Sequence, residues 1–158
     1  MGGKQGGPYG PDYWKQAFSE AGSAFVSADL EARRALYEAV LHYHNFTCAM
    51  TGTAFAAMEG IHPDLQVSAI RPLAAGGAHD VSNFIALSAD ADIAFQRGHL
   101  SVGSNHSLLA DLSRIDPELL ERLNPDGRLR LPADRRAWPS ADSLAFHREH
   151  IFAREGRG

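Results

Sequence analysis

The side chains that could do chemistry are concentrated in one stretch of the chain, residues 65–102. Within it lie the imidazole of His79, the amide of Asn83 and the carboxylate of Asp92. A neutral imidazole can take a proton from water, and carboxylate oxygens suit Mg²⁺ or Mn²⁺ as ligands. These residue types therefore permit both acid–base and metal chemistry.

Two arginines, Arg71 and Arg97, flank these groups in the sequence. A guanidinium can bind a phosphate through two parallel hydrogen bonds, so both are candidate phosphate contacts. The alternative for each is an ion pair with one of the nearby carboxylates, which belong to Asp80, Asp90 and Asp92.

The elements predicted around these residues follow the order strand, loop, strand, helix. Loose alternation of apolar residues predicts a strand over Leu65–Ile70, and turn-forming residues predict a loop over Leu73–Ser82. Asn83–Leu87 is apolar enough for a second strand. A helix is then predicted over Ser88–Arg97, with its first residue as the N-cap and Gly98 as the residue that ends it.

Further elements are predicted on both sides of this region. A helix from a cap at Ser27 to about Asn45 carries its apolar residues on one stripe. Before the motif region, a short helix is predicted near Tyr13–Ala21 and a strand or turn over Phe46–Thr51. After it, strands over His99–Val102 and Ser107–Ala110 are predicted to pair across a turn, followed by a helix from Asp116 through Leu123 and a strand over Arg128–Leu131. A C-terminal helix is predicted to start at Trp138-Pro139-Ser140 and to carry Leu144, His147 and Ile151.

The length and composition predict one globular domain. The chain has 158 residues, of which 44% are apolar, and this suits a single packed core. We expect a flexible Gly-rich tail over residues 1–10 and one domain over residues 11–158. Within that domain, residues 46–103 would form the motif core and residues 104–158 a helical extension.

Charge and cysteine content limit the classes of function. The net charge of −4 argues against tight nonspecific DNA binding, but catalysis on DNA needs only local positive potential. Cys48 is the only cysteine, which excludes an intramolecular disulfide and a structural zinc ribbon, and we expect it to be buried. No apolar run approaches the roughly 20 residues of a membrane span. The N-terminus lacks the apolar segment of a signal peptide, so we expect a cytoplasmic protein.

Three blocks of the sequence resemble the HNH endonuclease family. Residues 65–72, Leu-Gln-Val-Ser-Ala-Ile-Arg-Pro, resemble its Ser/Ala-His-Ile-x-Pro block, and residues 76–83, Gly-Gly-Ala-His-Asp-Val-Ser-Asn, supply an Asn after a Gly-Gly turn. Residues 89–102 resemble the His/Asp-x-x-Phe-Asp-x-Gly block, although Gln96 stands where the family usually has Asp. With the entry at Thr47–Gly52 and the C-terminal string from Trp138 to Phe152, the resemblance covers most of residues 46–152.

The resemblance implies a role for each of four residues. Ala69 occupies the position of the general-base His, so the proton acceptor is missing. Asn83 would either fix the loop that aims the base or join the metal shell, and Asp92 would be the metal ligand on the helix. His79 could serve as a substitute base or as a metal or phosphate contact, although a role in bracing the loop is simpler. For Asp92 the simpler alternative is an acidic residue on the helix surface.

The resemblance also implies a fold, a cofactor and a partner. The fold would be α+β, with a ββα-metal core flanked by N- and C-terminal helices. The protein would be a DNA endonuclease that uses one divalent cation, Mg²⁺ or Mn²⁺, in restriction or defence, and it would be inactive or very slow without its base. The base was either lost in this lineage or replaced deliberately. The rival interpretation is a pseudonuclease that acts as a DNA-binding or protein-interaction module, and an unrelated helical domain is the third alternative.

Overall fold

The computed structural model describes residues 24–153, with side chains from Leu30 onward. It confirms the predicted class, because the fold is α+β, with two small antiparallel sheets flanked by helices at both ends of the described chain. The predicted tail over residues 1–10 and the helix near Tyr13–Ala21 lie outside the described residues. None of the helices in residues 24–153 has both the length and the apolar character that a membrane crossing requires.

The first helix, α1, spans Ala24–Tyr43. The prediction of a cap at Ser27 is wrong, because the helix begins three residues earlier. Tyr37, Val40 and Leu41 are buried against the core, as the apolar stripe predicted. The helix ends where Asn45 and Phe46 adopt positive φ angles of 54° and 51°, which no right-handed helix can continue. Phe46–Thr51 then forms a turn, with one isolated bridge from Thr47 to Ala54.

The larger sheet is a hairpin of β1, Leu65–Ala69, and β2, Phe84–Ser88. The strands are antiparallel, and their register places Leu65 opposite Ser88 and Ala69 opposite Phe84. Every residue of both strands is buried, so both faces of the hairpin are covered, and helix α1 packs against it. Cys48 is fully buried beside this hairpin, as predicted, with its Sγ 3.5 Å from the Oγ of Ser88.

Helix α2 follows β2 directly and spans Ala89–Gln96. It packs on both strands of the hairpin, which completes the predicted order of strand, loop, strand and helix. Ser88 takes the N-cap position, but its hydroxyl donates to the carboxylate of Asp90 instead of accepting from the helix. Gly98, with φ 78°, ends the helix as predicted.

The second half of the chain encloses the hairpin and α2. Strands β3, Leu100–Val102, and β4, Leu108–Ala110, form the second hairpin, and helix α3 spans Pro117–Arg122. The strand predicted over Arg128–Leu131 is wrong. Its backbone N–H groups donate to carbonyls of separate segments, from Leu129 to His106 and from Arg130 to Ala49, so no ladder forms. The C-terminal helix begins as α4, Ala141–Phe146, and continues as a π-helix over His147–Phe152.

His147 joins the π-helix to the end of α2. Its ring stacks on Phe95, with the ring centroids 3.8 Å apart and the planes at 3°. Nε2 lies 2.8 Å from the carbonyl oxygen of Phe95 and therefore carries the proton, and Nδ1 lies 2.7 Å from Oγ of Ser101 and accepts from that hydroxyl. The neutral imidazole thus holds together three segments that are distant in sequence.

Two buried histidines make the stability of the fold sensitive to acid. Burial lowers the pKa of His44 and of His147 to about 4, and Arg130 beside His44 adds to the effect. Between pH 6.5 and 4 the unfolded chain binds protons at these sites and the folded chain does not. We therefore expect the free energy of unfolding to fall by about 1.4 kcal/mol per pH unit per histidine across this window. Urea titrations at pH 7, 6 and 5 measure this slope, and His147→Gln should reduce it. An unchanged slope in His147→Gln would contradict the attribution of this acid sensitivity to the lowered pKa of His147.

Candidate functional site

The loop between β1 and β2 is held closed by Asn83, which is 1% exposed. Its Oδ1 accepts the N–H of Arg71 at 3.0 Å, and its Nδ2 donates to the carbonyls of Arg71 at 3.0 Å and Ala78 at 3.1 Å. The loop is drawn so tight that a Cβ at Gly77 would lie 1.9 Å from the carbonyl oxygen of Arg71. Asn83 therefore holds the loop closed through three side-chain hydrogen bonds.

Ser68 of β1 and Asp92 of α2 meet where the helix crosses the strand. The Oγ of Ser68 donates to Oδ1 of Asp92, and Nε2 of Gln96 donates to the same oxygen at 2.9 Å. Asp92 is 3% exposed, and burial raises the pKa of its carboxyl group while the two donors oppose that shift. No described residue donates to Oδ2, which leaves that oxygen for a ligand.

Ala69 is the last residue of β1 and lies next to Ser68. Its partner in the hairpin is Phe84, which directly follows Asn83, so the loop held by Asn83 starts and ends at this pair. Ala69 is 7% exposed, and its methyl group can neither accept nor donate a proton. The position that the resemblance assigns to the base thus adjoins Ser68 along β1 and carries no titratable group.

The structure places the other predicted site residues around the loop and the end of α2. His79 is exposed on the loop, and no described residue is hydrogen-bonded to its side chain. Arg97 is exposed at the end of α2. Arg71 follows β1, with its guanidinium over the ring of Phe146, 4.5 Å from Cζ to the ring centroid.

The predicted alternative of an ion pair is not found for either arginine among the described residues. The carboxylates considered for it have other partners: Asp80 accepts from Ser82, Asp90 pairs with Arg122, and Asp92 accepts from Ser68 and Gln96.

A divalent cation fits this site only as a weakly held, largely hydrated ion. Residues 24–153 contain no group of three His, Cys, Asp or Glu side chains that could enclose a metal. Asp92 offers one carboxylate oxygen and Ser68 one hydroxyl. Mg²⁺ commonly keeps several waters and takes one or two carboxylates together with substrate phosphates, so a single carboxylate is compatible with it.

Two contacts at the site were missed by sequence reasoning. Gln96 stands four residues after Asp92, and this spacing places their side chains on one face of a helix, so the bond could have been anticipated. The stacking of Phe146 on Arg71 carries no comparable signal, because the two residues are far apart in sequence and meet only through the fold.

A second carboxylate at position 68 should create a stronger cation site. In Ser68→Asp, the new side chain would face Asp92, and without a cation the two negative charges repel each other. We expect this variant to be stabilised by Mg²⁺, by about 1.4 kcal/mol when the free ion reaches tenfold its dissociation constant. Thermal melting with and without Mg²⁺ measures the gain. Ser68→Asn, of the same shape but neutral, is the control, and equal gains in both variants would contradict the prediction.

The fold of the described residues can be compared with that of solved structures. The structure is similar to a solved structure described as the modification-dependent TagI restriction endonuclease, with a TM-score of 0.55 and 22% sequence identity. The match covers 74% of this chain and 37% of that chain, so this chain spans little more than a third of its length. No family model and no curated protein matches the sequence. The likeness is one of fold.

Proposed function

We propose that this chain is an HNH-type DNA endonuclease domain that lacks its general base and therefore hydrolyses DNA very slowly or not at all. The observation that carries the proposal is the contact of Ser68 with Asp92 across β1 and α2, directly beside Ala69. A carboxylate at this crossing, next to a loop held by Asn83, is the arrangement that the HNH resemblance requires. The TagI likeness in fold supports a nuclease, and we propose a role in restriction or defence on the same basis.

Each residue would contribute by positioning or by charge. Asn83 fixes the loop, and the open Oδ2 of Asp92 would hold one Mg²⁺ or Mn²⁺, with the Ser68 hydroxyl as its neighbour. The cation, when bound, would supply positive charge that stabilises the negative charge developing around phosphorus in the transition state. Arg97 and His79 are exposed and would contact phosphates of DNA.

The missing step is the removal of a proton from the attacking water. A positioned general base contributes about 10²- to 10⁴-fold in rate, and the methyl group of Ala69 supplies none of it. His79 is the available substitute, since it is exposed on the same loop, and a weak residual activity would depend on it.

The experiment is the nicking of supercoiled plasmid by the native chain and by Ala69→His, each with Mg²⁺, Mn²⁺ or EDTA. Nicking that needs both the histidine and a metal ion supports the proposal. Absence of cleavage by both proteins, together with absence of Mn²⁺ binding, contradicts it.

A second candidate is a pseudonuclease that binds DNA or a protein partner without cleaving. The observation that favours it is the double donation to Oδ1 of Asp92 by Ser68 and Gln96, which engages one of the two carboxylate oxygens within the protein. Metal binding separates the two candidates. A nuclease site should bind Mn²⁺ and lose it in Asp92→Asn, whereas a pseudonuclease should show no difference between native protein and variant by electron paramagnetic resonance.

A further inference from the structure

We propose that Arg71, oriented by the ring of Phe146, forms a subsite for a backbone phosphate of DNA at the end of β1. The inference rests on the proposed function, since DNA is its ligand. Its position in the sequence makes Arg71 a candidate contact. The structure adds the ring that orients the guanidinium, the groups that fix its backbone, and the absence of an ion pair with any described carboxylate.

The backbone of Arg71 is fixed from both sides by one amide. Asn83 accepts the N–H of Arg71 and donates to its carbonyl, both at 3.0 Å. Because Asn83 directly precedes β2, these bonds tie the Cα of Arg71 to both strands of the hairpin. The side chain therefore starts from a rigid point, two residues beyond Ala69.

The guanidinium is oriented as well. Its Nε donates to the carbonyl of Ala75 at 2.7 Å, and its Cζ lies 4.5 Å from the centroid of the Phe146 ring. The ring in turn packs against His150, with centroids 4.5 Å apart. A Cβ at Gly76 would lie 3.0 Å from Nη2, so the glycine leaves room for the group. With Nε engaged, Nη1 and Nη2 remain as donors in a set plane.

The charge of Arg71 is available to an anion. No described carboxylate forms an ion pair with it, whereas four other arginines have carboxylate partners: Arg34, Arg114, Arg122 and Arg136. An arginine with an aromatic ring behind it and free terminal nitrogens presents the planar fork that matches phosphate oxygens. Less side-chain entropy is lost on binding, because the conformation already exists in the free protein.

Binding of a fluorescently labelled duplex, measured by anisotropy in EDTA over a range of salt concentrations, tests the subsite without cleavage or metal. We expect Arg71→Ala to weaken binding about tenfold and to reduce the slope of log affinity against log salt by about 1. Phe146→Leu should weaken binding about threefold with the slope unchanged, because it removes the support and leaves the charge. Phe146→Tyr keeps the ring and should bind like the native protein.

The chain offers a matched control in Arg135, whose Cζ lies 4.5 Å from the ring of Trp138. Arg135→Ala removes the same charge from the same kind of stack at another place, and we expect affinity close to native. Equal losses in Arg71→Ala and Arg135→Ala would overturn the subsite and leave DNA binding in place. Absence of DNA binding by the unsubstituted protein would overturn both the subsite and the proposed function. Melting curves for each variant exclude unfolding as the cause.

Discussion

Ala69→His should accelerate metal-dependent nicking of supercoiled plasmid by about 10²- to 10⁴-fold, the usual contribution of a positioned general base. The physical reason is that position 69 lies at the end of β1, next to Ser68, while the methyl group of Ala69 accepts no proton. The new imidazole would act in its neutral form. The rate should therefore rise with pH through the ordinary pKa of histidine, about 6.5, and level off above it. Initial nicking rates between pH 5.5 and 8.5 measure both effects.

This experiment must separate the effect of the larger side chain from the effect of a proton acceptor, because Ala69 is only 7% exposed. Ala69→Phe adds a ring of similar shape without a proton acceptor, and it should stay as slow as the native chain. A rate in Ala69→His that does not depend on pH, or that persists in EDTA, would contradict the assignment of a base. Equal activity of the two variants would point to an effect of packing.

Gly77→Ala should destabilise the protein by about 3 to 5 kcal/mol, which is large for the addition of one methyl group. The added Cβ would lie 1.9 Å from the carbonyl oxygen of Arg71 and 2.8 Å from Nδ2 of Asn83. Both atoms belong to the hydrogen bonds that close the loop, so the loop must open to admit the methyl group. Chemical denaturation of the variant and the native protein measures the difference.

Gly60 provides the comparison for this substitution. It has a positive φ of 79°, and a Cβ there would meet no atom within 4 Å. Gly60→Ala should thus cost only the backbone strain, about 1 to 2 kcal/mol. A cost for Gly77→Ala no larger than this would mean that the loop yields easily. In that case Asn83 would not be the rigid latch that its three bonds suggest.

Local sequence signals predicted the elements around the site correctly because each signal acts within a few residues. Gly98 ends α2 through its positive φ, and alternating apolar residues form β1. The failures depend on distant contacts. The segment Arg128–Leu131 has the composition of a strand, but its N–H groups find separate carbonyl partners, and nothing near it in sequence reveals this. The π-helix after Phe146 lacked a local signal in the same way.

The features of the candidate site also separate into those that local sequence signals predict and those that depend on distant contacts. The position of Asp92 within α2 follows from the predicted order of elements, whereas the pairing of Ala69 with Phe84 was not predicted. The donation of Gln96 to Asp92 was open to prediction from helical spacing. The ring beneath Arg71 was not, because more than seventy residues separate it from the arginine and only the packed C-terminal helix brings it there.

The enclosed thiol of Cys48 has a practical consequence. It is the chain's only cysteine and is fully buried, with its sulfur 3.5 Å from the hydroxyl of Ser88, the residue from which α2 departs. A soluble alkylating reagent can reach it only when this region opens. The rate of modification under native conditions should therefore report how often the helix that carries Asp92 separates from the hairpin, without the introduction of any label. If added DNA or Mg²⁺ slows this modification, the slower rate would show that binding at the site reduces the local opening of α2 and the hairpin.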